Sequence, residues 1–270
     1  MQDIDWNAMS APWLKAEAGL ERAHQSVLDG LMRRSQLETG QRVLDIGSGT
    51  GLSLLAAADA VGAAGHVTGV DIAPPLVARA RARVPAQVEV LEGNAATLEY
   101  AETFDVAISL FGTMFFADTP AAFAHLRKAM KPGGRFVFAA WSAPPRNPWF
   151  GIPRGSVEAQ LGPLPKPDPA APGPFRFADA AAVIGMLEQA GWDAAVETEA
   201  LMLRTGQSAE GLAQMHLDLA RALMLADHDL ADSDLAAIRD NLQAGFGKFG
   251  GGRAVEVPAE VHFFLATPSG

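Results

Sequence analysis

Cysteine is absent from the 270 residues. Disulfides, thiolate zinc sites and a cysteine nucleophile are therefore excluded. No stretch approaches about 18 consecutive apolar residues, so no membrane span is expected. The start, Met1-Gln2-Asp3-Ile4-Asp5, lacks the basic residues and apolar run of a signal peptide. Basic residues are few: 21 Lys plus Arg face 31 Asp plus Glu, a formal net charge of -10, and they form no basic run. A uniformly acidic protein repels phosphate backbones, so no nucleic-acid partner is expected. There is no internal repeat, and no cluster of carboxylates and histidines that calls for a metal. The expectation is a cytoplasmic protein. The sequence leaves a homodimer open.

What is present is 49% hydrophobic, enough for one large core or one core with a modest cap. The pattern predicts a helix over 12–35, a strand over Arg42–Gly47 and a helix over Leu52–Val61. A strand over His66–Asp71, a helix from Pro74 to Arg83 and strands over Gln87–Leu91 and Phe104–Leu110 follow. A helix over Thr119–Met130, a turn at Lys131-Pro132-Gly133-Gly134 and a strand over Arg135–Trp141 complete this half. Apolar strands separated by helices imply a parallel sheet covered on both faces, a Rossmann-like α/β fold. The pattern then breaks, because residues 143–174 hold ten of the 18 prolines. That stretch reads as an irregular excursion or lid, with a short helix at Gly155–Leu161. Beyond it lie helices over Ala178–Ala190, 208–226 and 232–244, and strands over Trp192–Leu203 and Val255–Ala266. Gly245, Gly247 and Gly250–Gly252 read as a flexible turn. One domain spans 1–270, with a core at 12–141, a lid-like insertion at 142–177 and a C-terminal part at 178–270.

Four places carry chemistry. Val43-Leu44-Asp45-Ile46-Gly47-Ser48-Gly49-Thr50-Gly51 runs a strand into a glycine turn and a helix. Glycines there let a ligand approach the backbone and adopt positive φ. Leu52 stands where a dinucleotide fingerprint has its third glycine, and Asp45 can hold a ligand ammonium. Asp71, closing the second strand, can accept from two ribose hydroxyls. Asn94 in Glu92-Gly93-Asn94-Ala95 can accept from an adenine amino group. Ser109 and Leu110 end the fourth strand, where open α/β sheets place ligands. Phe111, Met114, Phe115 and Phe116 follow as candidate pocket walls or core.

These stretches, with Lys131-Pro132-Gly133-Gly134-Arg135, resemble the class I methyltransferases that use S-adenosylmethionine (SAM). The likeness is to the small-molecule branch that includes ubiquinone and menaquinone C-methyltransferases. It is close over 12–141 and looser beyond. That branch commonly has Asp where this chain has Asn94. The resemblance implies a seven-stranded, mostly parallel sheet with an antiparallel last strand, for which Val255–Ala266 is the candidate. It implies SAM as methyl donor, held by Asp45, Gly47, Ser48, Gly49, Gly51, Asp71, Ile72, Asn94, Ala95 and Ser109. The acceptor would be a small apolar or aromatic molecule methylated by in-line displacement. No base is assignable. His24 and His216 are the candidates, since the N-terminal and late helices roof this family's pocket. DNA amino-methylating enzymes carry Asp/Asn-Pro-Pro-aromatic after strand four, and this chain has Ser109-Leu110-Phe111-Gly112. The alternatives are a SAM-binding protein without methyl transfer or with another outcome, and a nicotinamide-dependent oxidoreductase.

Overall fold

Apolar residues that would be exposed on a free strand are covered on both sides here. The computed structural model describes residues 5–100, 103–226, 228–250 and 254–270. Five strands are mutually parallel: β1 (Arg42–Ile46), β2 (His66–Asp71), β3 (Val88–Glu92), β4 (Phe104–Leu110) and β5 (Met130–Trp141). Helices α1 (Trp6–Ser35), α2 (Leu52–Val61), α3 (Pro74–Arg81) and α4 (Thr119–Lys128) flank them. Val43, Leu44, Ile46, Val67, Val70, Val106 and Ile108 are buried, as both-face coverage requires.

The rest of the chain adds α5 (Pro148–Leu161), α6 (Ala180–Gln189), β6 (Trp192–Arg204), α7 (Ala209–Leu223), α8 (Asp232–Gly247) and β7 (Glu256–Pro268). The seven-stranded order is β3-β2-β1-β4-β5-β7-β6. β7 lies between β5 and β6 and runs antiparallel to both, as expected for the last strand. β1 pairs with β2 on one side and β4 on the other. The chain therefore winds outward from β1 and returns beside it. The carboxyl ends of β1 and β4 form the switch point where such sheets bind ligands.

Four sequence expectations change. Lys131-Pro132-Gly133-Gly134 is not a free turn. It opens β5, where the β4 register shifts between Phe104 and Val106 and Gly133 takes φ 74°. The proline-rich stretch begins with a full helix. α5 spans 14 residues because Pro148 occupies its first turn, where no N–H is needed, and Pro153 removes a single bond further in. The irregular part starts only at Gly162. Gly245 and Gly247 belong to α8 rather than to a turn, while Gly251 and Gly252 lie outside the described residues. α1 also starts earlier than its apolar face predicts, because Asp5 caps it by accepting from Asn7 N and Ala8 N. Among the described residues no helix is long and apolar enough to cross a membrane.

Candidate active site

The turn after β1 is held by contacts only glycine permits. Gly47, Gly49 and Gly51 have φ of 69°, 54° and 96°. A Cβ on Gly47 would stand 2.8 Å from Gly112 Cα, so the turn after β1 packs directly on the segment after β4. At Gly49 a Cβ would meet nothing within 4 Å. Its backbone faces open space, which suits close approach of a ligand.

Asp71 organises this turn. One carboxylate oxygen accepts from Gly49 N at 2.8 Å and the other from Ala73 N at 2.9 Å. Burial pushes its carboxyl above the usual range, and backbone N–H groups of Ala73, Gly49 and Ile72 pull it back. With three of its four lone-pair sites met by these N–H groups, the carboxylate keeps one for a ligand hydroxyl. Ile72 beside it is 56% exposed, one of two large apolar side chains so exposed among the described residues. It offers a flat base an apolar surface. Asn94 is exposed, and its side-chain oxygen accepts from Ala96 N at 2.9 Å with one lone pair remaining. Ala95 is buried behind it.

Asp45 is fully buried on β1. Ser53 Oγ donates to one oxygen at 2.6 Å, and the other oxygen has no partner. Burial, with the nearby Asp71 charge adding to it, pushes the carboxyl up to about 7. A buried carboxylate oxygen without a partner is costly, and a cationic group would remove that cost. Ser48 Oγ is also buried and unpaired. Ser109 is placed differently from a ligand contact. Its hydroxyl donates to Ile46 O at 2.7 Å and accepts from Gly112 N at 3.1 Å, so it clasps the β1 and β4 turns together.

α1 is tied to the same turn. Thr50 Oγ1 donates to Glu21 at 3.0 Å, and Arg83 bonds Glu17, Glu21 and Thr50 O. One turn along α1 from Glu21 stands His24. Its ring lies 5.3 Å from Phe111 and 5.8 Å from Trp141. Phe111 and Trp141, which follow β4 and end β5, stack at 4.2 Å with an 8° interplanar angle. Phe111 takes φ 69°, a strained conformation for a bulky residue that recurs at functional sites. Trp149 on α5 lies 6.4 Å from His24 and 4.5 Å from His216 on α7. The two histidines named from sequence thus meet one aromatic cluster. Trp149 lies in the stretch read from sequence as a lid, whereas Trp141 and Phe246, which complete the cluster, carried no functional signal. Nor did Glu21 and Arg83. Of the other expected walls, Met114 is core, Phe116 packs against Phe123, and Phe115 meets Trp6.

A family model described as Methyltransferase domain matches residues 43–134, from β1 into the start of β5. The chain is 38% identical over 117 residues to demethylmenaquinone methyltransferase of Thermus thermophilus, covering 42% of this chain and 52% of that one. It is 34% identical over 111 residues to aklanonic acid methyltransferase DauC of a Streptomyces species, covering 39% and 50%. The chain spans about half the length of these curated relatives. A solved phosphoethanolamine N-methyltransferase 2 of Haemonchus contortus, in complex with phosphomonomethylethanolamine and S-adenosylhomocysteine, shares the fold. Its TM-score is 0.52 at 20% identity, covering 89% of this chain and 51% of that one. Sheet order and glycine turn are those of a Rossmann-like fold, and the methyltransferase-domain match lies on its first half. The chain is thus similar to SAM-dependent methyltransferases, most clearly over residues 43–134.

Proposed function

We propose that this protein transfers a methyl group from SAM to a small apolar or aromatic acceptor. The observation that carries the reading is the buried, unpaired oxygen of Asp45 beneath an open glycine turn, with Asp71 and Ile72 at the next strand end. An ammonium, a ribose hydroxyl and an adenine face would meet those three groups in that order.

Bound SAM supplies a sulfonium-activated methyl. In-line attack by the acceptor would give methylated acceptor and S-adenosylhomocysteine, with the acceptor's proton passing to water. The chain's own residues bind, orient and exclude water. Asp45 holds the ammonium, Asp71 the ribose, and Asn94 with Ala95 the adenine edge. Gly47, Ser48, Gly49 and Gly51 shape the turn around the donor. α5 and the proline-rich run behind it roof the acceptor, since Trp149 is buried and Phe150 packs on Trp141 at 5.2 Å. The net charge of -10 argues for an acceptor that is not a nucleic acid.

Calorimetry with SAM, followed by an acceptor screen read by S-adenosylhomocysteine release, tests this. SAM binding with turnover of an aromatic metabolite is the expected result. SAM binding with no turnover across the screen favours a SAM-binding protein with another outcome. Absence of SAM binding overturns the reading.

A further inference from the structure

Four of the six histidines fall into two kinds. His262 is met at both ring nitrogens, by the Thr198 hydroxyl at 2.8 Å and by Ala178 O at 3.3 Å. His125 Nε2 lies 2.9 Å from Leu98 O. These are imidazoles that bind the fold together. His24 Nε2 and His216 Nε2 are sealed from solvent and meet no partner.

An unpaired buried ring nitrogen destabilises a fold, and a leucine or phenylalanine would fill the same space without that penalty. Two such nitrogens border one aromatic cluster. His216 lies 4.5 Å from Trp149 and 4.7 Å from Phe246, while His24 reaches Phe111, Trp141 and Trp149. The cluster also adjoins the reacting centre. Gly112, next after Phe111, packs on Gly47 of the glycine turn. Burial holds the His24 imidazole down to about 4 and that of His216 down to about 3, so both are uncharged at neutral pH. An uncharged imidazole offers one N–H and one lone pair. It suits a hydroxyl or a carbonyl, and gives no countercharge to a carboxylate or phosphate.

We propose that His24 and His216 determine acceptor specificity. Through Nε2 they hydrogen-bond the oxygen substituents of a planar, uncharged aromatic acceptor lying against Phe111, Trp141 and Trp149. This rests on the methyl-transfer reading only in naming the cluster as the acceptor's side. The two are positioning residues. They orient the acceptor oxygen toward the glycine turn.

The test uses 1-naphthol and 1-methylnaphthalene, which match in shape and differ in the hydroxyl. Both are titrated calorimetrically into the protein with and without S-adenosylhomocysteine. The variants are His24→Phe, His216→Phe, His24→Gln and His216→Gln. A site built to bond a hydroxyl rejects the analogue lacking it, so the wild type should prefer 1-naphthol by about tenfold or more. Each Phe variant should reduce the preference to within about threefold, keep SAM affinity within about twofold, and melt no lower than wild type, because an unsatisfied polar group has been removed. Each Gln variant should restore most of the preference, since its amide also donates and accepts. Absence of a preference in the wild type, or its survival in both Phe variants, overturns the proposal. So does a preference unchanged while all four variants melt lower, the signature of a structural role. A wild type that keeps the preference but fails to bind SAM would break the methyl-transfer reading and leave this one standing.

Discussion

The glycine turn and the aromatic cluster border the same sheet edge but treat polar atoms differently. Around the turn, most are bonded by residues close in sequence or on the adjacent strand: Asp71 to Gly49 and Ala73, Asn94 to Ala96. The exceptions are Ser48 Oγ and the second Asp45 oxygen, and the latter points to a cation. In the cluster, rings from α1, β5, α5, α7 and α8 converge from distant parts of the chain, and the two imidazole nitrogens among them are unbonded. A donor common to a whole class can be held by a fixed local motif. An acceptor peculiar to one protein is met by side chains that tertiary packing brings together. Variants in the turn should therefore abolish donor binding, and variants in the cluster should change acceptor choice alone.

The largest effect is expected at Gly47. Gly47→Val adds a β-branched side chain at φ 69°, with its Cβ aimed 2.8 Å from Gly112 Cα. SAM affinity should fall by more than about 100-fold, because the turn cannot keep its shape. Gly133→Ala is the control. It has φ 74° and nothing within 4 Å of the added atom, so it should cost about 1–2 kcal/mol of stability and leave SAM affinity alone. Equal SAM binding by both variants in calorimetry would remove the special status of the turn.

Asp71→Ala comes next. Losing a charge-assisted bond to ribose should weaken SAM by about 1.5–3 kcal/mol. Gly49 N and Ala73 N also lose their acceptor, so the melting temperature should fall as well. Unchanged SAM affinity in a folded Asp71→Ala protein would show that the carboxylate serves the turn only.

Acidity gives a third, smaller effect. The Asp45 carboxyl is raised to about 7 from an ordinary value near 4, so in the free protein it is protonated across much of that interval. A raised carboxyl favours folding most below its unfolded value, and that contribution is lost as pH rises toward the folded value. An ammonium prefers the ionised form. SAM affinity should therefore rise with pH by up to about tenfold per unit below pH 7 and level off above it, with proton release on binding. Asp71, also raised, acts in the same sense. Asp45→Asn should flatten the profile. A flat wild-type profile between pH 5 and 7 would mean that no cation meets Asp45.

Strand order aside, the half of the fold up to Trp141 was legible in the sequence, since buried parallel strands leave apolar runs and glycine turns leave their own signature. Val255–Ala266 was legible as a strand from its apolar run, while its antiparallel direction came from the resemblance and agrees with the pairing of β7. α5 was not, because its prolines argue against helix until their positions in the first turn and just beyond are known. Ser109 was placed near the ligand by its strand end, but its hydroxyl is taken by Ile46 O and Gly112 N, a pairing that only tertiary structure reveals. His24 and His216 could be named but not joined, since what brings them to one cluster is Trp149, which itself follows an unrecognised helix start.

The smallest effect concerns the connection between the two regions. Arg83 bonds Glu17 at 2.7 Å, a second pair joins it to Glu21, and it donates to Thr50 O at 3.0 Å. The Glu21 hydrogen bond above all holds the guanidinium charged. These groups are partly exposed, so the network should contribute about 1 kcal/mol or less, and salt should weaken it. Its position matters more than its energy. Thr50 belongs to the glycine turn, while Glu21 precedes His24 by one turn on the same face of α1. Breaking the network should let α1 shift against the turn, moving His24 and the donor site relative to each other. Arg83→Met keeps the apolar stem and removes the fork. We expect a urea midpoint lowered only slightly, and a difference from wild type that vanishes in 0.5 M salt, roughly where screening is short-ranged. The apparent KM for acceptor should rise about two- to fivefold while SAM affinity stays within twofold, because only one partner's roof has moved. A SAM affinity that falls in step with the acceptor KM would show instead that α1 and the glycine turn move as one body, and the division between the two regions would then lie elsewhere in the fold.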